Sequence, residues 1–364
     1  MKPSESMLVT FLSSPNRAEA VTDSFKCELL LRQARSANLL SRVSKLCEED
    51  ELLLRLPERM QNHLQSAKCV ANANHRSVRW EVKQILSVLA AKEIPVCLLK
   101  GAAYVVDEVD AGKGRVFSDV DILVPKESLE EVEILLVHNG WMCTNFDPYD
   151  QKYYRTWMHE LPPLKNMKRG TALDVHHTII PPTACLKPDI EKIWEKVDKV
   201  EGFEGLYILG SHDLILHSAV HLFHDGELEN GLRDLSDLDL LMREFLVEEG
   251  FWENLLARAV ELNLQRPLFY ALRYTNGILK TPVPDDILNS SKMGSPGTVM
   301  VALMDALFLR ALAPDHPSCD DRWTGLARWM LFIRSHWLRM PPLQLAQHLA
   351  RKGYKRWTVR KNMT

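Results

Sequence analysis

The sequence predicts an α+β fold in which a small mixed sheet is flanked by N-terminal and C-terminal helical regions. Two observations carry this. Leucines and alanines recur at three- and four-residue spacing before residue 93 and again after residue 210, the period of an amphipathic helix. Between those limits the pattern changes to short apolar runs and two-residue alternation, which mark strands.

Residues 1–24 are rich in Ser, Pro, Asn and Thr without a clear period, and little order is expected there. From residue 25 to 92, positions such as Leu29, Leu30, Leu40 and Val43, then Val82, Ile85, Leu86 and Leu89, define several helices. The α/β core is expected over 93–210. Ile94–Leu99 is an apolar run suited to a buried strand, and Lys100-Gly101 ends it before a helix from Ala102 to Val109. Asp119–Val124 alternates as a strand, and Pro125 opens a charged helix to about Asn139. Trp157–Asn166 and Ala172–Ile180 read as strands around a Met167–Gly170 turn. From 211 to 364 the chain is helical again, over 212–224, 228–246, about 250–278, 296–312 and 322–352, with prolines and Asn276-Gly277 as breakers.

The bulk chemistry narrows the class of protein. Of the 364 residues, 46% are hydrophobic and 26% charged, as in soluble globular chains. A net charge of -3 provides no global basic field for nucleic acid. The seven cysteines are scattered and form no CxxC pair, which argues against a disulfide framework or a thiolate zinc site and for a reducing cytoplasm. The first residues make a poor signal peptide, and Val299–Leu312 is interrupted by Asp305 and Arg310, so no membrane span is expected.

The main chemical signal is Ser118-Asp119-Val120-Asp121-Ile122-Leu123-Val124. Side chains two apart on a strand share a face, so Asp119 and Asp121 project together while Val120, Ile122 and Val124 enter the core. Adjacent carboxylates repel and raise each other's pKa unless a cation lies between them. A hard divalent ion such as Mg2+ satisfies both; the alternative is a solvated acidic edge strand. Three neighbouring features favour the cation. Lys100-Gly101-Ala102 forms a strand-to-helix turn at which glycine can admit a phosphate and Lys100 can compensate charge. Arg115 can clamp a phosphate, or pair on the surface with Asp107 or Asp110. Asp174 shares a strand face with His176, where it can complete a two-metal site or act as general base.

This order of strand, Lys-Gly turn, helix, Arg, Ser-Asp-x-Asp strand and later Asp strand resembles the DNA polymerase β-like nucleotidyltransferase superfamily. More narrowly, Leu98-Leu99-Lys100-Gly101, Arg115-x-x-Ser118-Asp119-x-Asp121-x-Leu123-Val124 and Asp174-Val175-His176 resemble a bacterial family of uncharacterised nucleotidyltransferases, over about residues 58–350. The resemblance implies a polymerase β-like core that moves a nucleoside monophosphate from an NTP to a hydroxyl-bearing acceptor and releases pyrophosphate. It implies two Mg2+ ions: one on Asp119 and Asp121 gripping the triphosphate, the second shared with Asp174. It further implies nucleotide contacts from Lys100, Gly101, Ala102, Arg115 and Ser118. The superfamily usually has Gly-Ser at the turn, whereas this chain has Gly101-Ala102, so the serine contact must come from elsewhere or be missing. A non-catalytic nucleotide-binding or assembly module is therefore an alternative.

Two further segments bear on function. His217, His221 and His224 stand at i, i+4 and i+7 in a predicted 212–225 helix. That spacing suits a transition metal in a phosphohydrolase, histidines hydrogen-bonded at a boundary, or contacts to substrate across a cleft; the resemblance favours the last for His221 and His224. His176 is a further candidate contact, as is Asp237, the residue of Asp234, Asp237 and Asp239 best placed for burial; a helix histidine is a candidate partner for it, and its role can be structural as easily as functional. All three cannot point inward unpaired. Finally, Ala327–Arg339 is basic and aromatic, followed by Lys352, Lys355, Arg356 and Lys361. It suits a packed helix with snorkelling arginines, or peripheral contact with a membrane surface, polyanion or protein.

Overall fold

The computed structural model describes residues 6–340, apart from 145, 226 and 227. Among the described residues seven strands form one mixed sheet: β1 (Val96–Leu99), β2 (Asp119–Leu123), β3 (Trp141–Cys143), β4 (Leu164–Asn166), β5 (Ala172–His176), β6 (Val197–Lys199) and β7 (Leu206–Leu209). Their order is β3-β4-β5-β2-β1-β7-β6. The β2–β5 and β1–β7 pairs are parallel, and the others antiparallel. Every residue of β1 is buried, which explains its unbroken apolar run. β2 keeps only Asp119 partly exposed.

The chain before the sheet is dominated by a 32-residue helix, Glu58–Leu89. Its buried Met60, Leu64, Ala71, Val78, Val82, Ile85 and Leu89 follow one helical stripe, which packs toward the helices Lys100–Val106 and Leu129–His138. After β7, the helices Ser211–Val220, Gly231–Phe245 and Gln265–Tyr274 pack on one another, and one continuous core runs from Leu8 to Leu331. Among the described residues no helix is long and apolar enough to cross a membrane.

Several expectations change. The segment expected to lack order holds the helix Met7–Ser13, capped by Ser6, with Leu8, Val9 and Phe11 buried. Seven residues are too few to display a helical period. The predicted Trp157–Asn166 strand is reduced to β4, and it is preceded by a helix, Pro148–Trp157, that the sequence reading did not include. The start of that helix is written in Asp147-Pro148: Asp147 accepts from the backbone N–H of Tyr149 and of Asp150. Pro162 and Pro163 lack the N–H donors that would carry a ladder through the next stretch. Strand β4 survives, and its hairpin with β5 turns where expected: the Asn166 side chain accepts from Lys168 N and Arg169 N, and Gly170 takes φ +76°. Strands β3, β6 and β7, of three or four residues each, had no counterpart in the expected set.

The histidine segment is not one continuous α-helix. Ser211–Val220 is α-helical, and His221–Asp225 is a π-turn, which breaks the i, i+4, i+7 phase. Residues 341–364, including Pro341-Pro342 and the lysines and arginine from Lys352 to Lys361, lie outside the described residues. The helix Thr324–Arg339 buries Ala327, Leu331 and Ser335 and leaves Trp329 and Trp337 exposed.

Candidate active site

The parallel register of β2 and β5 sets Asp121 directly beside Asp174, at the strand spacing of about 4.8 Å. Asp119, two residues before Asp121, shares their face. The three carboxylates thus form one acidic row on the wall of a cavity of about 870 Å³. They stand side by side as pairs; one oxygen from each does not converge within 4.8 Å.

Asp121 is the most constrained. Lys100 Nζ lies 3.2 Å from its Oδ1, and His176 Nε2 donates to the same oxygen at 3.2 Å. Burial alone would raise its pKa, but Lys100 and His176 outweigh burial and hold the carboxyl far below the usual range. Asp119 goes the other way: burial first, then the charge of Asp121, raises it, although Ser118 Oγ donates to it at 3.1 Å. Asp174 is pushed up to about 7 by burial and by the charges of Asp121 and Glu160. Two raised carboxylates flanking a lowered one are a donor set short of positive charge, which fits a hard divalent cation.

Lys100 itself adopts φ +45°, a left-handed conformation unusual for lysine. This turn directs its side chain back toward β2. Gly101 lines the cavity, but its lack of a side chain has a nearer cause: a Cβ there would overlap the Phe117 ring. Gly101→Ala is therefore expected to displace Phe117 and destabilise the fold by ~1–3 kcal/mol. Denaturant unfolding checks this, and trimming the ring as well (Phe117→Leu) should recover part of the loss. Ala102 is buried in the helix and does not line the cavity, unlike the nucleotide contact expected of it.

The Arg115–Ser118 segment is held by the long helix. Asn74 donates to the Phe117 carbonyl and accepts from its N–H, both at 2.9 Å, and His75 Nε2 donates to the Arg115 carbonyl at 2.7 Å. The Arg115 guanidinium pairs neither with Asp107 nor with Asp110. It contacts Asp237 and lies 3.4 Å from Asp234 at the cavity wall. Asp234, Asp237 and Asp239 are all buried, because each has its own partner. Asp234 meets Arg115 and Arg233; Asp237 meets Arg115 and Arg42 (2.8 Å); Asp239 meets Arg243 (2.8 Å) and Thr281 (2.7 Å). Asp237 is thus paired to arginines, not to a helix histidine, and lies beneath the cavity, not in it.

Of the histidines singled out in the sequence, His176 and His221 line the cavity, with His221 Nδ1 4.0 Å from Asp234; His159 and His336, which sequence reasoning missed, line it too. His217 and His224 are buried and do not line it. Burial pushes His217 well below its usual pKa, which keeps the ring neutral. Among the described residues, the helix histidines form no three-ligand cluster. Sequence reasoning missed Tyr153, Tyr154 and Glu160 on the cavity wall, and Arg328, Phe332 and Arg339 from the C-terminal helix. The Tyr153-Tyr154 doublet was a visible signal; the arginines could not be told from snorkelling ones.

With this geometry in view, the comparisons assign the chain. A model of the family of uncharacterised nucleotidyltransferases matches residues 23–280, and the chain belongs to that family. No curated protein and no solved structure matches it.

Proposed function

We propose that the chain is a Mg2+-dependent nucleotidyltransferase with a polymerase β-like core, which moves a nucleoside monophosphate from an NTP to a hydroxyl-bearing acceptor. The observation that supports this most is the in-register pairing of Asp121 with Asp174 beside Asp119, on the wall of a cavity large enough for a nucleotide. The seven strands among the described residues fall between 96 and 209, which supports a core over 93–210.

In this reading Asp119 and Asp121 would hold one Mg2+ ion and Asp121 and Asp174 would hold a second. When bound there, Mg2+ would neutralise phosphate charge and lower the pKa of an acceptor hydroxyl. The chain's own residues do the rest. Lys100 and Arg115 add positive charge on the carboxylate side, Ser118 orients Asp119, and Arg328 and Arg339 face the cavity from the C-terminal helix. Tyr153, Tyr154 and Phe332 offer ring faces to a base or an acceptor. The work is positioning and charge stabilisation, with no covalent intermediate. Of the histidines singled out in the sequence, His176 and His221 are placed to touch substrate. A cytoplasmic setting, and a peripheral contact through the outward tryptophans of the C-terminal helix, belong to the same proposal.

Calorimetry with ATP, CTP, GTP and UTP, with and without Mg2+, tests it: at least one nucleotide should bind, and only with the metal. Equal binding in EDTA would refute the metal role. The metal affinity should also depend on pH. Asp174 is raised to about 7, so below that pH the metal-free protein holds a proton that the ion must displace. Mg2+ should bind about tenfold more tightly at pH 8 than at pH 6. By the same linkage, the folded state binds the extra proton between about pH 4 and 7. This group's contribution to metal-free stability is therefore present at low pH and is lost as pH rises through 7. Thermal unfolding with and without Mg2+ at the two pH values reads both effects, and an identical Mg2+ shift at pH 6 and 8 would contradict them.

A further inference from the structure

We propose that His159, Glu160 and His176 form a separate site for a transition ion of the Zn2+ type, distinct in chemistry from the all-oxygen carboxylate row. One nitrogen of each histidine and one Glu160 oxygen lie within 4.8 Å of one another, and this is the three-ligand cluster found among the described residues. Both histidines are buried, and their rings stand 5.1 Å apart. His176 Nε2 lies 3.2 Å from Asp121 and 3.6 Å from Glu160, while its Nδ1 is buried with no hydrogen-bond partner.

The backbone beneath the trio is fixed. Glu160 bridges to His176 outside the regular strands, His177 N donates to the His159 carbonyl at 2.9 Å, and Leu161 N donates to the Val175 carbonyl at 2.8 Å. These bonds tie Met158–Leu161 to the end of β5 and hold the three side chains together. Zn2+ with ligands at about 2.1 Å needs donors roughly 3.4 Å apart, a contraction that the partly exposed Glu160 side chain can make by changing rotamer. Two imidazoles and one carboxylate favour a borderline ion over Mg2+, which prefers oxygen donors. All three residues line the large cavity, so the fourth position of a tetrahedral ion falls to water or to a bound substrate. Ligation through Nε2, the nitrogen 3.6 Å from Glu160, would take the place of its hydrogen bond to Asp121.

The test uses the full chain, stripped of metal and dialysed against Zn2+ in the presence of excess Mg2+ and without nucleotide. Metal content is measured by elemental analysis, and Co2+ substitution is followed by absorbance. The wild type should hold about one Zn2+ per chain, and its Co2+ form should show no thiolate charge-transfer band. His159→Ala and Glu160→Gln should each weaken Zn2+ binding by at least about tenfold, whereas Asp119→Asn should retain it. Unfolding curves identify any variant that fails to fold; the isosteric Glu160→Gln keeps the test decisive if His159→Ala does not. Absence of Zn2+ from the wild type, a thiolate spectrum, or undiminished binding in folded His159→Ala or Glu160→Gln would overturn the site. Because no nucleotide is present, that result leaves the nucleotidyl-transfer reading untouched.

Discussion

Asp121→Asn should lower Mg2+-dependent pyrophosphate release by about 10³-fold or more, the scale at which charge-stabilising groups act in phosphoryl transfer. Asp121 is the central carboxylate: it is in register with Asp174, two residues from Asp119 on the same strand, and in contact with Lys100 and His176. Removing its charge deprives both proposed ions of a shared ligand and leaves Lys100 and His176 without their anion. Asparagine keeps the shape, so the loss should appear in turnover with the fold intact by circular dichroism. Activity within tenfold of wild type in a folded Asp121→Asn protein would contradict the assignment.

Asp237→Ala should cost about 3–5 kcal/mol of stability, the range for breaking a buried ion pair. Asp237 is 2% exposed and so is its partner Arg42, with Arg115 on the other side. Arg42 also donates to Ser236 Oγ at 3.1 Å and to the Ala111 carbonyl. Truncating the acid leaves two guanidiniums buried without their shared anion. Burial already pushes both arginines down to about 10. The loss should register as a lower denaturant midpoint. Where the variant remains folded, its KM for nucleotide should stay close to wild type, since the side chain lies beneath the cavity. A large KM rise at unchanged stability would return Asp237 to the substrate contacts. Replacing the pair together, as Arg42→Met with Asp237→Leu, should recover part of the stability, because fewer unpaired charges remain.

These two residues also show what could be read in advance. Asp119 and Asp121 were legible because a period-two strand carries its own face assignment. The position of Asp174 relative to them was not, since it depends on a parallel register set by elements some fifty residues apart. Asp237 was expected to be buried, but its partners lie at Arg42 and Arg115, far away in the chain, and no local pattern names them. The same holds for Gly101, which read as an approach point for phosphate but is first of all the seat of the Phe117 ring. The histidine spacing misled because a π-turn at His221–Asp225 changes the phase that the spacing assumes. The helical stripe of Glu58–Leu89 was plain, whereas β6 and β7, only three and four residues long, carry too little period to stand out.

Transfer of the nucleotidyl group can be followed directly. The protein can be incubated with Mg2+, extract and each NTP labelled either at the α-phosphate or at the γ-phosphate. Nucleotidyl transfer sends α-label into an acceptor while γ-label leaves as pyrophosphate. Label entering the acceptor from the γ-position, or release of inorganic phosphate with no α-labelled product, would contradict it.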